Sequence, residues 1–283
     1  MTFKTCFYDI ETGLSLVELF SLGEQTIRHG QLLQSSKVTP ILCISYAIND
    51  AKPKTLVTGP GVFDSKEAIM EFDSIIASCD VIVGKNNHRF DNKHINTHRL
   101  FNQLPGMPHW RSKSDDLESQ LRRNFHMLSQ SLDAISHILG LGGKQKMDFK
   151  DWQDIKHYRD VQQAIAKYGK DGAKAVADIL YHAKVDDIIR DGKKAELKMQ
   201  EYNRKDVDDT REIWNYAKAH FEPKFNRATS GIMCKNCGST HVRKNGSQVN
   251  KAGTSFQNFY CEDHKGFAGK ATLKTNGTYG KVT

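Results

Sequence analysis

Three apolar blocks in the first third of the chain, each bounded by polar or turn residues, predict strands. Thr5-Cys6-Phe7-Tyr8-Asp9-Ile10-Glu11-Thr12 is apolar apart from its ends and two carboxylates. Pro40-Ile41-Leu42-Cys43-Ile44-Ser45-Tyr46-Ala47 is a longer apolar run, and Cys79-Asp80-Val81-Ile82-Val83-Gly84 is a short β-branched run ending in Gly. Runs of this length and composition read as buried strands. The order expected is strand (3–10), a long connection, strand (40–49), strand (54–58), helix (65–78), strand (79–84), then mostly helices. A long helical pattern follows from about Lys194 to His220, with Leu197, Ile213, Trp214 and Ala217 as its apolar contacts. Two stretches exceed what a simple connection needs. Residues 13–39 form a long first connection. Residues 151–193 are charged, with helical patterns near Val161 to Tyr168 and Ala173 to Ala183, and read by default as a solvated helical hairpin.

The carboxylates change the picture. Side chains two apart on a strand point to the same face, so Asp9 and Glu11 share one. Like charges about 4 Å apart repel by roughly 4 kcal/mol at an effective dielectric near 20. A bound divalent cation removes that conflict, and a hard cation such as Mg²⁺ prefers oxygen ligands. Asp91 follows the 79–84 strand through Lys85-Asn86-Asn87-His88-Arg89-Phe90. It either caps the helix that continues through His94, Ile95 and Leu100, or supplies another carboxylate. Tyr202 and Asp206 are four apart on the long helix and project together, with Arg204 and Lys205 turned elsewhere. His88, His94 and His98 read as surface or helix-face histidines.

Taken in order, Phe7-Tyr8-Asp9-Ile10-Glu11-Thr12, Asn86-x-x-x-Phe90-Asp91 and Tyr202-x-x-x-Asp206 resemble the three motifs of the DEDD superfamily of 3′–5′ exonucleases, in the tyrosine form. The histidine form needs His where Glu201 stands. Ser131-Leu132-Asp133-Ala134-Ile135 and Leu139-Gly140-Leu141-Gly142-Gly143-Lys144 are similar to the segment between the second and third motifs in stand-alone, phage-type members. The resemblance covers about residues 1–221. It implies an α/β, ribonuclease-H-like mixed sheet flanked by helices and a metal-dependent nuclease. It also implies two Mg²⁺ or Mn²⁺ ions, Asp9 bridging both, Glu11 and Asp206 holding the ion beside the attacking water, and Asp91 acting mainly on the second. Tyr202 is implied to orient the water. Its phenol is too weak a base at pH 7 to be the main proton acceptor. Thr12 falls where family members hold the 3′-terminal nucleotide. Asn86 either contacts the strand or sets the turn, and Lys144 either touches a phosphate or is a solvated loop lysine. Ser114-Asp115 reads as a plain helix start as well as a position where relatives carry Asp.

A second module is written in cysteines. Cys234-x₂-Cys237, then twenty-three residues, then Cys261-x₂-His264 is a paired-knuckle spacing for one structural Zn²⁺. His241 is an alternative to His264 as fourth ligand. The pattern predicts a zinc ribbon over 232–270, a linker over 222–231, and a flexible basic tail over 271–283. Residues 225–283 carry nine basic and two acidic side chains, net +7, whereas the rest balances at 32 against 31. Nearly all the excess positive charge therefore lies in this module. Cations interleaved with Phe256, Phe259, Tyr260 and Phe267 suit a nucleic-acid surface, with some rings reserved for the small core.

Cys6, Cys43 and Cys79 read as buried thiols, and the ribbon cysteines fit a reducing cytoplasm. The first strand begins almost at Met1, leaving no signal peptide, and no run approaches eighteen apolar residues, so no membrane span is expected. The expected partner is nucleic acid, DNA ahead of RNA, with replication or recombination proteins as further partners. Two other readings remain open: a structure-selective endonuclease on the same fold, and a non-catalytic zinc-ribbon protein that binds nucleic acid.

Overall fold

Strand β1 (Thr5–Thr12) is the centre of a five-stranded sheet in a computed structural model that describes residues 4–15, 38–106, 113–142, 146–221, 234, 242–262, 265–273 and 279–282. It pairs antiparallel with β2 (Ile41–Ile48), placing Asp9 opposite Ser45 and Glu11 opposite Cys43. On its other edge it pairs parallel with β4 (Val81–Gly84), Phe7 opposite Val83. With β3 (Lys54–Val57) and β5 (Ser114–Asp116) the sheet has the order β3-β2-β1-β4-β5. A mixed five-stranded sheet flanked by helices is consistent with the ribonuclease-H-like expectation. Strand β5 was not anticipated, because Ser-Asp-Asp carries no apolar signal.

Alternation along β1 sorts its side chains. Tyr8 faces α1 (Lys66–Ala77) and α2 (Asp91–Phe101): its ring lies 5.2 Å from Phe72, and its hydroxyl bonds Asn92. Asp9 and Glu11 face the opposite side, where α6 (Val185–Ala217) packs on β1 and β2. The short helices α3 (Leu117–Asn124) and α4 (Leu132–Ile138) come between, followed by the long α5 (Phe149–Tyr181). Helix α3 begins later than the Ser114-Asp115 start expected. Asp116 is its N-cap, accepting a hydrogen bond from the Ser119 N–H at 3.1 Å.

Three expectations are corrected. Residues 151–193 are not a separate solvated hairpin. Ile155 of α5 is buried with Leu42, Cys43, Ala195 and Met199. Buried Arg159 donates to Leu42 O, Gly59 O and Glu196, tying α5 to the sheet and to α6. Helix α6 starts at Val185 and passes within touching distance of α5 at Gly192, where an added Cβ would sit 2.1 Å from Tyr158 Cβ. Leu197 is not an apolar contact of α6: it is 62% exposed, while Ala195, Met199, Ile213, Trp214 and Ala217 are buried. At 100° per residue Leu197 stands about 160° from both Ala195 and Met199, on the opposite side of the helix. His98 is not a surface residue either. It is buried, with Nδ1 2.8 Å from Ser65 Oγ and Nε2 2.8 Å from Thr39 O. Cys6, Cys43 and Cys79 are buried thiols that form no disulfide, as expected.

The chain divides into two units: Met1–Met107 with Asp116–Lys218, and Pro108–Asp115 with Ala219–Thr283. The second contains an antiparallel sheet, β6-β7-β8-β9, formed by Val242–Val249, Ser255–Cys261, Gly266–Leu273 and Tyr279–Val282. The sheet thus includes residues 271–273 and 279–282 of the stretch read as a tail. The pairings Ala271 with Val282 and Leu273 with Tyr279 satisfy backbone groups that a sequence pattern alone does not reveal. Cys234, Phe259, Cys261, Ala268 and Ala271 form its buried cluster. Among the described residues no helix is long and apolar enough to cross a membrane.

Candidate metal centre

Asp9, Glu11 and Asp206 converge. Each offers a carboxylate oxygen, and the three atoms lie within 4.8 Å of one another. Strand alternation brings Asp9 and Glu11 to the α6 face; the helix brings Asp206 down onto them. Asp9 and Glu11 are half-buried and Asp206 is buried. Three like charges in one half-buried place are unfavourable alone and well suited to a hard cation. Tyr202, half-buried, stands one turn before Asp206 on α6.

Asn203 was missed in the sequence and is part of the centre. Its amide is fully buried and Nδ2 donates to Asp9 Oδ2 at 2.6 Å. Cys43, opposite Glu11 on β2, donates its thiol to Asn203 Oδ1 at 3.5 Å. Burial, and after it the charges of Glu11 and Asp9, push the Cys43 thiol well above its usual pKa, so it remains a donor. A donor on one side and a carboxylate on the other fix which end of the amide faces Asp9. The available signal was spacing: Asn203 is three residues before Asp206 and shares its face.

Asp91 is not one of the three carboxylates in this group. It does not cap α2, whose N-cap is Phe90 with no side-chain hydrogen bond. Instead Asp91, 2% exposed, accepts a hydrogen bond at Oδ1 from the Ile10 N–H at 3.0 Å, between Asp9 and Glu11 in the chain. Burial, the largest influence, raises its pKa to about 7; the Ile10 hydrogen bond and Lys85 oppose, and Asp116 adds to the rise.

The loop before Asp91 is shaped by backbone. Asn86 takes φ 60°, a left-handed conformation that Asn tolerates, and its carbonyl accepts from the Arg89 and Phe90 N–H groups. Asn86 thus sets the turn by its backbone. Asp116, also missed in the sequence, clamps the loop: Oδ1 accepts from the Asn86 N–H at 3.2 Å and Oδ2 from the His88 N–H at 3.1 Å. Thr12 sits where the β1–β2 register shifts after Glu11. Such bulges re-aim side chains at the ends of strands. Lys144 lies outside the described residues.

Of the expected zinc ligands, Cys234 and Cys261 are fully buried in one cluster. Cys237 and His264 lie outside the described residues, as does His241.

No protein-family model matches this sequence, and no curated protein matches it. Among solved structures the chain is similar to the family B DNA polymerase from the hyperthermophilic archaeon Pyrobaculum calidifontis, with 12% sequence identity and a TM-score of 0.49. The match covers 89% of this chain and 31% of the polymerase chain, so this chain spans under a third of the polymerase's length. A likeness at that level carries no information about chemistry.

Proposed function

We propose that this chain is a metal-dependent 3′–5′ exonuclease that hydrolyses phosphodiester bonds of DNA. The observation that carries the reading is the convergence of Asp9, Glu11 and Asp206 to within 4.8 Å. An all-carboxylate donor set fits Mg²⁺ or Mn²⁺. By the motif resemblance, Asp9 would serve two ions, Glu11 and Asp206 one of them, and Asp91 the other. Bound ions would supply electrostatic stabilisation of the attacking and leaving oxygens.

The protein's own groups do the positioning. Asn203 holds the Asp9 carboxylate. Asp91 holds the strand between Asp9 and Glu11 through the Ile10 N–H. Tyr202 orients the attacking water by a hydrogen bond. Thr12, Asn86 and Lys144 would meet the 3′ end of the strand.

The second unit is proposed to hold one structural Zn²⁺ on Cys234, Cys237, Cys261 and His264, and to help bind nucleic acid. The burial of Cys234 and Cys261 in one small cluster supports this. So small a core gains much of its folding energy from a metal. One zinc per chain by elemental analysis, lost in Cys261→Ser, is the expected result.

The test of the main reading follows a 5′-labelled single-stranded DNA oligonucleotide with Mg²⁺ or Mn²⁺, wild type beside Asp9→Ala. A one-nucleotide ladder shortening from the 3′ end, absent in the variant and with chelator, is expected. Internal cuts would move the assignment to an endonuclease. Full activity in Asp9→Ala would overturn the metal centre.

A further inference from the structure

The four-stranded sheet of the second unit has two chemically different faces. On β7, Phe259 and Cys261 turn inward to the cluster with Cys234, Ala268 and Ala271. Strand alternation then turns Phe256, Asn258 and Tyr260 to the other face. Register adds cross-strand neighbours there: Arg243 of β6 and Phe267 of β8 flank Tyr260, and Lys270 lies opposite Asn258. Phe267 is 46% exposed, whereas Phe259 is 2% exposed. The rings therefore divide, Phe259 to the core and Phe256, Tyr260 and Phe267 to the surface.

Cations are held over these rings. The Arg243 guanidinium lies 4.7 Å from the centre of Tyr260, and Lys270 Nζ lies 5.0 Å from the centre of Phe256. Arg243 also donates to Glu262 at 2.5 Å, which fixes its plane and offsets part of its charge. A guanidinium stacked on a ring extends the flat surface on which a base can lie. The net charge of this segment is complementary to phosphate, since residues 225–283 carry net +7. The neighbouring edge strand β6 is poorly suited to pairing with a protein strand. It is broken by a register shift between Lys244 and Ser247, with Gly246 at φ 74°, and carries Arg243 and Lys244.

We infer that this face is a stacking platform for single-stranded nucleic acid, with Tyr260, Phe267 and the Arg243 guanidinium receiving unpaired bases and Lys270 meeting the backbone. The inference deepens the reading of the chain as a nucleic-acid enzyme: it makes the substrate strand an unpaired one, held by its bases on the second unit.

The test is fluorescence anisotropy of the full chain with labelled oligo(dT), with no divalent cation added, so that binding is read without cleavage. An abasic oligomer of the same length is the second probe and a blunt duplex the third. Expected are weaker binding of the abasic and duplex probes than of oligo(dT), and a loss of about tenfold for oligo(dT) with Phe267→Ala. Phe267→Tyr should restore affinity, which a misfolded variant would not. Lys270→Gln should reduce the slope of log affinity against log salt by about 0.7. Equal affinity for abasic and thymidine oligomers, or unchanged binding in Phe267→Ala, would overturn the platform. Failure of the 3′ ladder assay would instead overturn the exonuclease reading, whatever the anisotropy shows.

Discussion

Asn203 donates a 2.6 Å hydrogen bond to Asp9 across 194 residues of chain, and so joins the central strand to the helix that carries Asp206. A buried amide that orients a carboxylate determines how well that carboxylate meets a cation. In Asn203→Ala the Asp9 carboxylate keeps its charge and loses its anchor. The expected result is a 10–100-fold weaker apparent affinity for Mn²⁺, on the order usual for groups that support a metal ligand. Calorimetric titration with Mn²⁺ checks it, because a purely structural loss would lower the melting temperature and leave metal affinity in the folded fraction unchanged.

The three converging carboxylates repel one another when no cation is bound. Asp206→Asn removes one of the charges and keeps the shape. Metal-free Asp206→Asn should melt a few degrees above wild type, a shift that corresponds to about 1 kcal/mol for a chain of this size. Saturating Mn²⁺ should raise the wild-type melting temperature and leave that of the variant nearly unchanged. Differential scanning calorimetry with and without Mn²⁺ reads both effects. A variant less stable than wild type without metal would mean that the cluster is not repulsive.

Turnover should separate Tyr202 from its neighbour. Tyr202→Phe removes a hydroxyl that orients water and leaves the ligands intact, so it should retain measurable cleavage. Asp206→Ala should show none. The comparison is of single-turnover rates on the same oligonucleotide.

The folded pKa of Asp91, about 7, stands above the value near 4 of an exposed aspartate. A raised folded pKa means that the protonated side chain favours the native state. Its contribution is fully present below about pH 4 and is lost as pH rises through about 7; it cannot exceed about 4 kcal/mol. Metal-free wild type should therefore lose stability between pH 5 and pH 8 relative to Asp91→Asn, which keeps the Oδ1 acceptor for Ile10 and has no proton to lose. Urea unfolding of both proteins across that range measures the difference. Parallel curves would refute it.

Gly192 marks where α5 and α6 touch. A Cβ there would lie 2.1 Å from Tyr158 Cβ and 2.8 Å from the Asp154 carbonyl oxygen. Replacing a helical Gly by Ala usually gains about 1 kcal/mol of helix propensity. Here overpacking against backbone should outweigh that gain, for a net loss of roughly 1–3 kcal/mol. Chemical denaturation of Gly192→Ala gives the sign directly.

Local periodicities determined a good deal. Alternation placed Asp9 and Glu11 on one side of a strand, and four-residue spacing placed Tyr202 with Asp206, because both relations are built into backbone geometry. The strands β1, β2 and β4 were likewise legible from their apolar runs. Tertiary structure alone decided what meets across the chain. Asn203 could be read as helical but not as the partner of Asp9, Asp116 gave no sign that it would clamp the Asn86 turn, and Leu197 looked apolar enough to be buried. Phe259 and Phe267 are the same residue type, yet sheet register sends one inward and the other to the surface. Sequence patterns repeat over two to four residues, whereas these contacts depend on which elements pack together, and packing is set by the whole core.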